Sequence, residues 1–144
     1  MTEEQIISYC NTLGMGDPIR NQVLTLHKHA SCLLHDETKS CFISDVLEKD
    51  STRLFTSLIF FTDKSFVEMI GFVSSPEIWV AMLPDELAAT EIRSNDFNFE
   101  KAIAASRLSI AVNWTVGNGF VLKMQATGGN CDALLSVYKD LFKL

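Results

Sequence analysis

The chain has 144 residues, of which 47% are hydrophobic and 21% charged, and its formal net charge at pH 7 is −6. This length and composition predict one globular domain over residues 1–144 and exclude a disordered chain. The acidic balance and the scattered lysines and arginines argue against nucleic acid and anionic membranes as partners, because both require a concentrated basic surface.

Residues 1–36 have the pattern of a helical hairpin. Apolar residues recur at helical spacing in 3–13, where Thr2 is a suitable N-cap. Gly14–Gly16 interrupts the pattern, and Asp17-Pro18 has the acid and the proline that commonly begin a helix. We therefore expect a second helix from there to about residue 36.

Short β-rich runs separated by turn-forming residues follow from residue 41 onward. The predicted strands span residues 41–48, 53–62, 65–73, 77–83, 89–95, 107–115 and 119–126. Residues 97–106 are predicted as a longer connection, and a last amphipathic helix covers about 131–143. One alternative stays open: Cys32–Leu34 could pair with Cys41–Ile43 as strands instead of ending the second helix.

The segment Val116–Gly119 could either bind a phosphate or turn one strand back onto the next. A phosphate-binding glycine loop lies between a strand and a helix, so that the first helical amides point at the anion. Here apolar and polar residues alternate on both sides of the glycines, which predicts two strands. Because Asn118-Gly119 is a favoured turn dipeptide, we interpret the segment as a hairpin.

The middle strands differ from this closing hairpin because they are apolar on both faces. In the predicted strand 65–73, one face carries Phe66 and Phe72, and in 77–83 one face carries Trp79. The other face of each strand carries further apolar side chains. Burying a large apolar side chain contributes about 1.5–3 kcal/mol, so we expect both faces to be covered. The cover could come from the two N-terminal helices alone, or in part from a second subunit or another partner.

Three stretches resemble the pleckstrin-homology-like barrel superfamily over about residues 40–144. They are "TSLIFFTDKSFVEMIGF" (Thr56–Phe72), "LPDELAATEI" (Leu83–Ile92) and the closing "SRLSIAVNWTVGNGFVLKMQATGGNCDALLSVYKDLF". The resemblance implies two nearly orthogonal sheets that form an antiparallel barrel over residues 40–128, with a helix over 130–144 that caps one open end. It also implies a role as an adaptor or interaction module.

Phosphoinositide-binding members of that superfamily carry several basic residues around the first hairpin. The corresponding stretch here, Glu48–Arg53, has two cations against two acids. This departure argues against binding of a lipid headgroup, and a membrane partner is not expected.

The histidines and one cysteine form the best candidate for a metal site. His27, His29, Cys32 and His35 lie within nine residues and are good zinc ligand types. On a helix, however, successive members of this set are spread over a wide arc, which disfavours convergence on one ion. We expect structural or surface roles, with His27 on the apolar stripe of its helix, and we predict no metal, no cofactor and no catalytic residue.

The four cysteines and the chain start bear on the compartment. Cys10, Cys32, Cys41 and Cys131 contain no CxxC pair, and Thr2-Glu3-Glu4 is acidic where an export signal is basic. These features predict reduced thiols in a cytoplasm. Two disulfides would be the alternative in an exported protein.

Two aromatic residues, Phe97 and Phe99, lie in an acidic loop. Loop aromatics usually pack into the core, and the alternative is that they anchor a partner. Together with Trp79, Phe66 and Phe72, they are the candidate partner-binding residues of the chain.

The sequence thus predicts an α+β protein: two N-terminal helices, about seven antiparallel strands in a barrel or sandwich, and a C-terminal amphipathic helix. We expect a non-enzymatic interaction or regulatory module of a bacterial cytoplasm, which binds a protein, a peptide or a second copy of itself. The alternative is a small-molecule binder or minor enzyme that uses a pocket at the barrel mouth.

Overall fold

A computed structural model of the chain describes residues 1–44, 47–49, 52–54, 56–71, 75–83, 89–105, 107–113 and 121–142. The chain divides into two compact units, Met1–Leu83 and Pro84–Leu144, which we call the N-terminal and C-terminal units. The prediction of a single domain over residues 1–144 stays a prediction.

The N-terminal unit contains two helices, a four-stranded antiparallel sheet and a two-stranded ribbon. Its helices are α1 (Glu3–Thr12) and α2 (Asp17–Leu33). Its strands are β1 (Ser40–Ser44), β2 (Leu47–Lys49), β3 (Thr52–Leu54), β4 (Ser57–Phe61), β5 (Ser65–Ile70) and β6 (Glu77–Met82). The sheet has the order β1-β4-β5-β6, and β2 pairs with β3.

Both predicted N-terminal helices are confirmed, and local chemistry explains where they begin and end. The Gln5 amide donates to Thr2 Oγ1 over 3.2 Å, while the Thr2 amide donates to Gln5 Oε1 over 2.9 Å, which completes a capping box. Pro18 lies in the first turn of α2. The alternative of a strand at Cys32–Leu34 is wrong, because the Leu34 amide still donates to the Ala30 carbonyl at the helix end.

The helices cover one face of the sheet over strands β1, β4 and β5. The buried side chains of this layer include Ile6, Cys10, Val23, Ala30, Cys41, Ile43, Leu58, Phe60, Val67 and Met69. A second set on the opposite face, comprising Phe42, Ile59, Phe61 and Phe66, is buried as well. The central strand β4 is therefore buried on both faces, as its sequence predicts.

Two tight connections define the ends of β5. Between β4 and β5, Thr62 Oγ1 accepts hydrogen bonds from the amides of Lys64 and Ser65 over 3.2 and 3.0 Å. After β5, Gly71 adopts a φ of 81°, and a Cβ atom at this position would lie 2.0 Å from the Ser75 carbonyl oxygen. Only glycine fits there, because the left-handed conformation and the close backbone approach both exclude a side chain.

The C-terminal unit contains a three-stranded antiparallel sheet and two helices. Its elements are β7 (Ala89–Ser94), α3 (Phe99–Ala105), β8 (Arg107–Asn113), β9 (Val121–Thr127) and α4 (Asn130–Phe142), with the sheet order β7-β8-β9. The predicted closing hairpin is confirmed, because Asn113 pairs with Val121 in an antiparallel register. The turn at Val116–Gly119 itself lies outside the described residues.

This sheet is apolar on one face and polar on the other. Its buried positions include Leu108, Ile110, Leu122, Met124 and Ala126, and α4, which packs against β8 and β9, adds Cys131, Leu134 and Val137. Lys123 is exposed, and Ser109 and Gln125 are partly exposed on the opposite face. Such a division is typical of an antiparallel sheet with one solvated side.

The α+β class, the two N-terminal helices and the C-terminal helix are confirmed, whereas two finer predictions are corrected. The described strands form separate sheets that are not closed into a barrel. Residues 97–106, predicted as a connection, contain α3, whose first turn is capped by Asn98 Oδ1 accepting from the Lys101 amide over 3.3 Å. A helix of seven residues is too short to show a clear apolar period.

Candidate functional site

The edge strand β6 is the most exposed apolar element among the described residues. The exposed fractions of its large side chains are 54% for Ile78, 49% for Trp79, 51% for Val80 and 70% for Met82. We call these four residues the β6 patch. Complete cover of residues 77–83 by the two N-terminal helices alone is therefore wrong, because large side chains on both faces of β6 are exposed. The alternative of cover in part by a second subunit or another partner stays a prediction.

Along the same edge, the backbone of β6 presents groups that no described strand pairs with. The Leu83 amide donates to the Lys64 carbonyl over 2.6 Å, so Leu83 and Lys64 form a hydrogen-bonded pair. From there the strands stay in register, with Met82 opposite Ser65 at one end and Glu77 opposite Ile70 at the other. Since hydrogen-bonded and non-hydrogen-bonded pairs alternate in an antiparallel ladder, the amides and carbonyls of Ile78, Val80 and Met82 point away from β5. No strand within the described ranges pairs with that side.

The two faces of β6 differ in their neighbours. Ile78 and Val80 lie on the same face of the sheet as the buried Met69 and Val67 of β5, with which they are paired, but they are themselves about half exposed. On the other face Trp79 lies opposite Glu68, and the Trp79 indole Nε1 donates to Glu77 Oε2 over 3.4 Å. Burial raises the pKa of the Glu68 carboxyl above its ordinary value.

Three features that usually protect a sheet edge are missing within β6. Lysines, prolines and bulges in an edge strand discourage pairing with another chain. Glu77–Met82 contains neither lysine nor proline, and it pairs with β5 without a bulge at every position. An apolar strand with a free backbone edge is chemically suited to accept one more strand.

The sequence pattern identified only part of this site. Trp79 is one of the predicted partner-binding residues, whereas the sequence pattern predicts a covered face for Ile78, Val80 and Met82. Pro76, directly before β6, is a signal that could have identified the edge, because proline in sheets is largely confined to edge strands and strand starts.

The other predicted partner-binding aromatics are distributed differently. Phe66 is fully buried, with its ring 6.1 Å from that of Phe61, so it is not available to a partner in this conformation. Phe72 lies outside the described residues. Phe97 is fully exposed and Phe99 is exposed by 38%, so packing into the core, the usual expectation for loop aromatics, is wrong for Phe97.

Phe97 is presented by a turn that is hydrogen-bonded on both sides. Ser94 Oγ donates to the Asp96 carbonyl over 2.8 Å, and the Asn98 amide donates to Asp96 Oδ1 over 2.9 Å. This second exposed apolar feature belongs to the C-terminal unit, and it is a single ring where the β6 patch is a continuous strand.

The polar face of the C-terminal sheet contains a surface depression with a cavity volume of ≈ 290 Å³. Its lining includes Glu91, Arg93, Ser109, Lys123 and Gln125. Arg93 Nε forms an ion pair with Glu91, and Lys123 is exposed. No histidine or cysteine is among the described residues that line the depression.

The predicted histidine and cysteine cluster is not assembled. The His27 ring lies 5.3 Å from the Phe60 ring, and burial lowers the pKa of His27 below its ordinary value. His29, Cys32 and His35 are exposed. Within the described ranges, no three His, Cys, Asp or Glu residues form a group that could hold a metal ion.

Two buried cysteines lie in the apolar layer between the N-terminal helices and the sheet. Cys10 of α1 and Cys41 of β1 belong to the same apolar layer. Burial raises the pKa of both thiols, so neither supplies a thiolate nucleophile near neutral pH.

The chain has no match among protein-family models, curated proteins or solved structures. The resemblance to pleckstrin-homology-like barrels therefore stays a prediction. Among the described residues, no helix combines the length and the apolar character needed to cross a bilayer.

Proposed function

We propose that this chain is a non-enzymatic, cytoplasmic protein-interaction module that binds an extended protein segment along the β6 edge. The observation that carries the proposal is the coincidence of the β6 patch with an edge of the same strand that no other described strand pairs with. In this mode of recognition, main-chain hydrogen bonds supply affinity, and alternate side chains of the added strand supply specificity.

The β6 edge could recognise both properties of an extended apolar segment. The outward amides and carbonyls at Ile78, Val80 and Met82 match the alternating donors and acceptors of a strand. The side chains of the same three residues provide an apolar surface next to those groups. A partner with alternating apolar residues would satisfy the two together.

A small-molecule binder or minor enzyme is the less favoured alternative. Ligand sites are usually concave and largely apolar, with a few converging polar groups. The depression on the C-terminal sheet is lined instead by the polar face of three strands, and two of its charged side chains are paired with each other.

Site-specific photo-crosslinking in cells tests the proposal. A photoreactive phenylalanine analogue at position 80 should give a discrete covalent adduct, because that side chain lies at the centre of the β6 edge. The matched control carries the analogue at position 33, since Leu33 is an exposed apolar residue of α2 with an exposed fraction of 49%. Adduct yields at position 80 no higher than at position 33 would contradict the proposed function.

A further inference from the structure

We propose that the β6 edge pairs with the β6 edge of a second copy of this chain, antiparallel about a two-fold axis through Val80. The inference rests on the proposed function, because it uses the same edge, and it identifies the partner segment as β6 itself. The two four-stranded sheets would then join into one continuous sheet across the axis, which is the isologous contact of a two-fold dimer.

The backbone geometry selects this register. In β6 the residues with outward amides and carbonyls are Ile78, Val80 and Met82. With Val80 on the axis, Val80 pairs with its counterpart and Ile78 pairs with Met82 of the second copy, which gives about six backbone hydrogen bonds at two for each bonded pair. A shift toward the start of the strand would place Pro76, which has no N–H, at a bonded position.

In the same register, side chains that face each other across the axis are complementary in size. On the helix-covered side, Ile78 lies beside Met82 of the second copy, and the two Val80 side chains meet on the axis. On the other side Trp79 lies opposite Ala81 of the second copy. That pair is non-hydrogen-bonded, in which Cα atoms approach to about 4.5 Å, so a large ring next to a small side chain fills the space without a clash.

The charges at the two ends of β6 are complementary in this arrangement. Glu77 lies at one end of β6, and Lys64 lies next to the other end, where its carbonyl accepts from the Leu83 amide. Antiparallel pairing places Glu77 opposite Leu83 of the second copy, next to Lys64 of that copy and away from the second Glu77. No like charges face each other across the axis, which cross-strand pairing requires.

The mass of the purified full-length chain in solution tests the pairing. Light scattering at micromolar concentrations should give twice the chain mass of 16.1 kDa. Val80→Lys places two ammonium groups together on the axis and should halve the measured mass, with an unchanged circular dichroism spectrum. Leu33→Lys introduces the same charge on an exposed face of α2 and should leave the dimer intact.

Engineered disulfides test the register itself, in a Cys32→Ser background that removes the exposed native thiol. In Val80→Cys the two Cα atoms should lie about 5.5 Å apart, within the range of about 4.4–6.8 Å that a disulfide bridges. In Ile78→Cys the two thiols are displaced along the strands by roughly 14 Å and should not join. Mild oxidation should therefore give covalent dimers of the first variant only, and of a mixture of Ile78→Cys with Met82→Cys.

Three results would overturn the pairing: a monomer mass for the unmodified chain, a dimer that Val80→Lys does not dissociate, or equal disulfide yields at positions 78 and 80. These outcomes are distinct from failure of the proposed function. A monomer that still forms a position-80 adduct with another protein in cells keeps the β6 edge as a binding site, and it shows that the partner is not a second copy.

Discussion

Strands β4 and β6 belong to the same sheet and have similar sequences, yet their surroundings are opposite. Leu58–Phe61 of β4 is completely apolar and buried on both faces, whereas Ile78–Met82 of β6 is equally apolar and mostly exposed. The difference lies in the strand order, because β4 has strands on both sides and β6 has a strand on one side only. A strand that is apolar on both faces indicates that cover exists somewhere, and that cover can come from outside the chain.

The largest expected effect separates these two strands directly. Phe60→Ala should lower the free energy of unfolding by about 3–5 kcal/mol, because it leaves a cavity beneath α2 next to His27. Trp79→Ala should cost clearly less, since half of that side chain is exposed. Urea denaturation of both variants, made in the Val80→Lys background to remove self-pairing, measures the difference. Equal losses would mean that β6 is buried like β4.

A smaller effect is expected for the pH dependence of stability at His27, whose imidazole packs on β4. Burial lowers the pKa of His27, so the unfolded chain binds a proton more readily than the folded one. The contribution of the neutral His27 ring to the free energy of unfolding is fully present above the pKa of His27 in the unfolded chain, about 6.5. That contribution is lost as the pH falls through the pKa of His27 in the folded chain. His27→Phe should therefore lose less unfolding free energy than the unmodified chain between neutral pH and pH values near 5.

Denaturation series at several pH values provide that measurement, with His29→Gln as the control for loss of an exposed imidazole. Parallel pH curves for His27→Phe and the unmodified chain would show that the His27 ring is not desolvated by β4.

Glu68, on strand β5 between β4 and β6, should change the stability with pH in the direction opposite to His27. Burial raises the pKa of Glu68 above its ordinary value of 4.5, so the stability associated with its neutral form is lost as the pH rises through the folded pKa. Glu68→Gln should be more stable than the unmodified chain at pH 7, and this advantage should fade as the pH approaches 4.5. Thermal unfolding at both pH values tests it, with the exposed Glu100→Gln as the control. A gain that is independent of pH would contradict the desolvation of Glu68.

The smallest effect is expected at the exposed aromatic of the C-terminal unit. Phe97→Ala should change the free energy of unfolding by no more than about 0.5 kcal/mol, because the ring makes no buried packing contact. Chemical denaturation checks this value. A loss above about 1 kcal/mol would show that Phe97 packs against the protein.

The elements with local signals were predicted well from the sequence. The capping box at Thr2, the proline at the start of α2 and the alternation on both sides of the last hairpin depend on neighbouring residues, and all three elements are confirmed. The predicted strands 41–48 and 53–62 each contribute to two sheets, because β1 and β4 belong to the four-stranded sheet and β2 and β3 to the ribbon. The alternation of side chains does not indicate which strands pair with each other.

The remaining features depend on contacts between distant residues. Closure of a barrel requires hydrogen bonds between strands far apart in the sequence, and no local pattern reports whether they form. The same holds for the candidate site. Trp79 could be identified as a large aromatic, but the exposure of Val80 follows from the position of β6 at the end of the strand order, which the composition of β6 does not encode.

The position of the β6 patch depends on Gly71, which lies before it in the chain. A methyl group there would collide with the Ser75 carbonyl, and relieving the collision would shift the segment that leads into β6. Natural variation could exchange the exposed side chains of β6 one by one and so alter what they recognise. Variation at Gly71 would instead displace the backbone at Ser75 and Pro76, directly before β6. The entry into this outer surface is therefore constrained by a residue that has no side chain of its own.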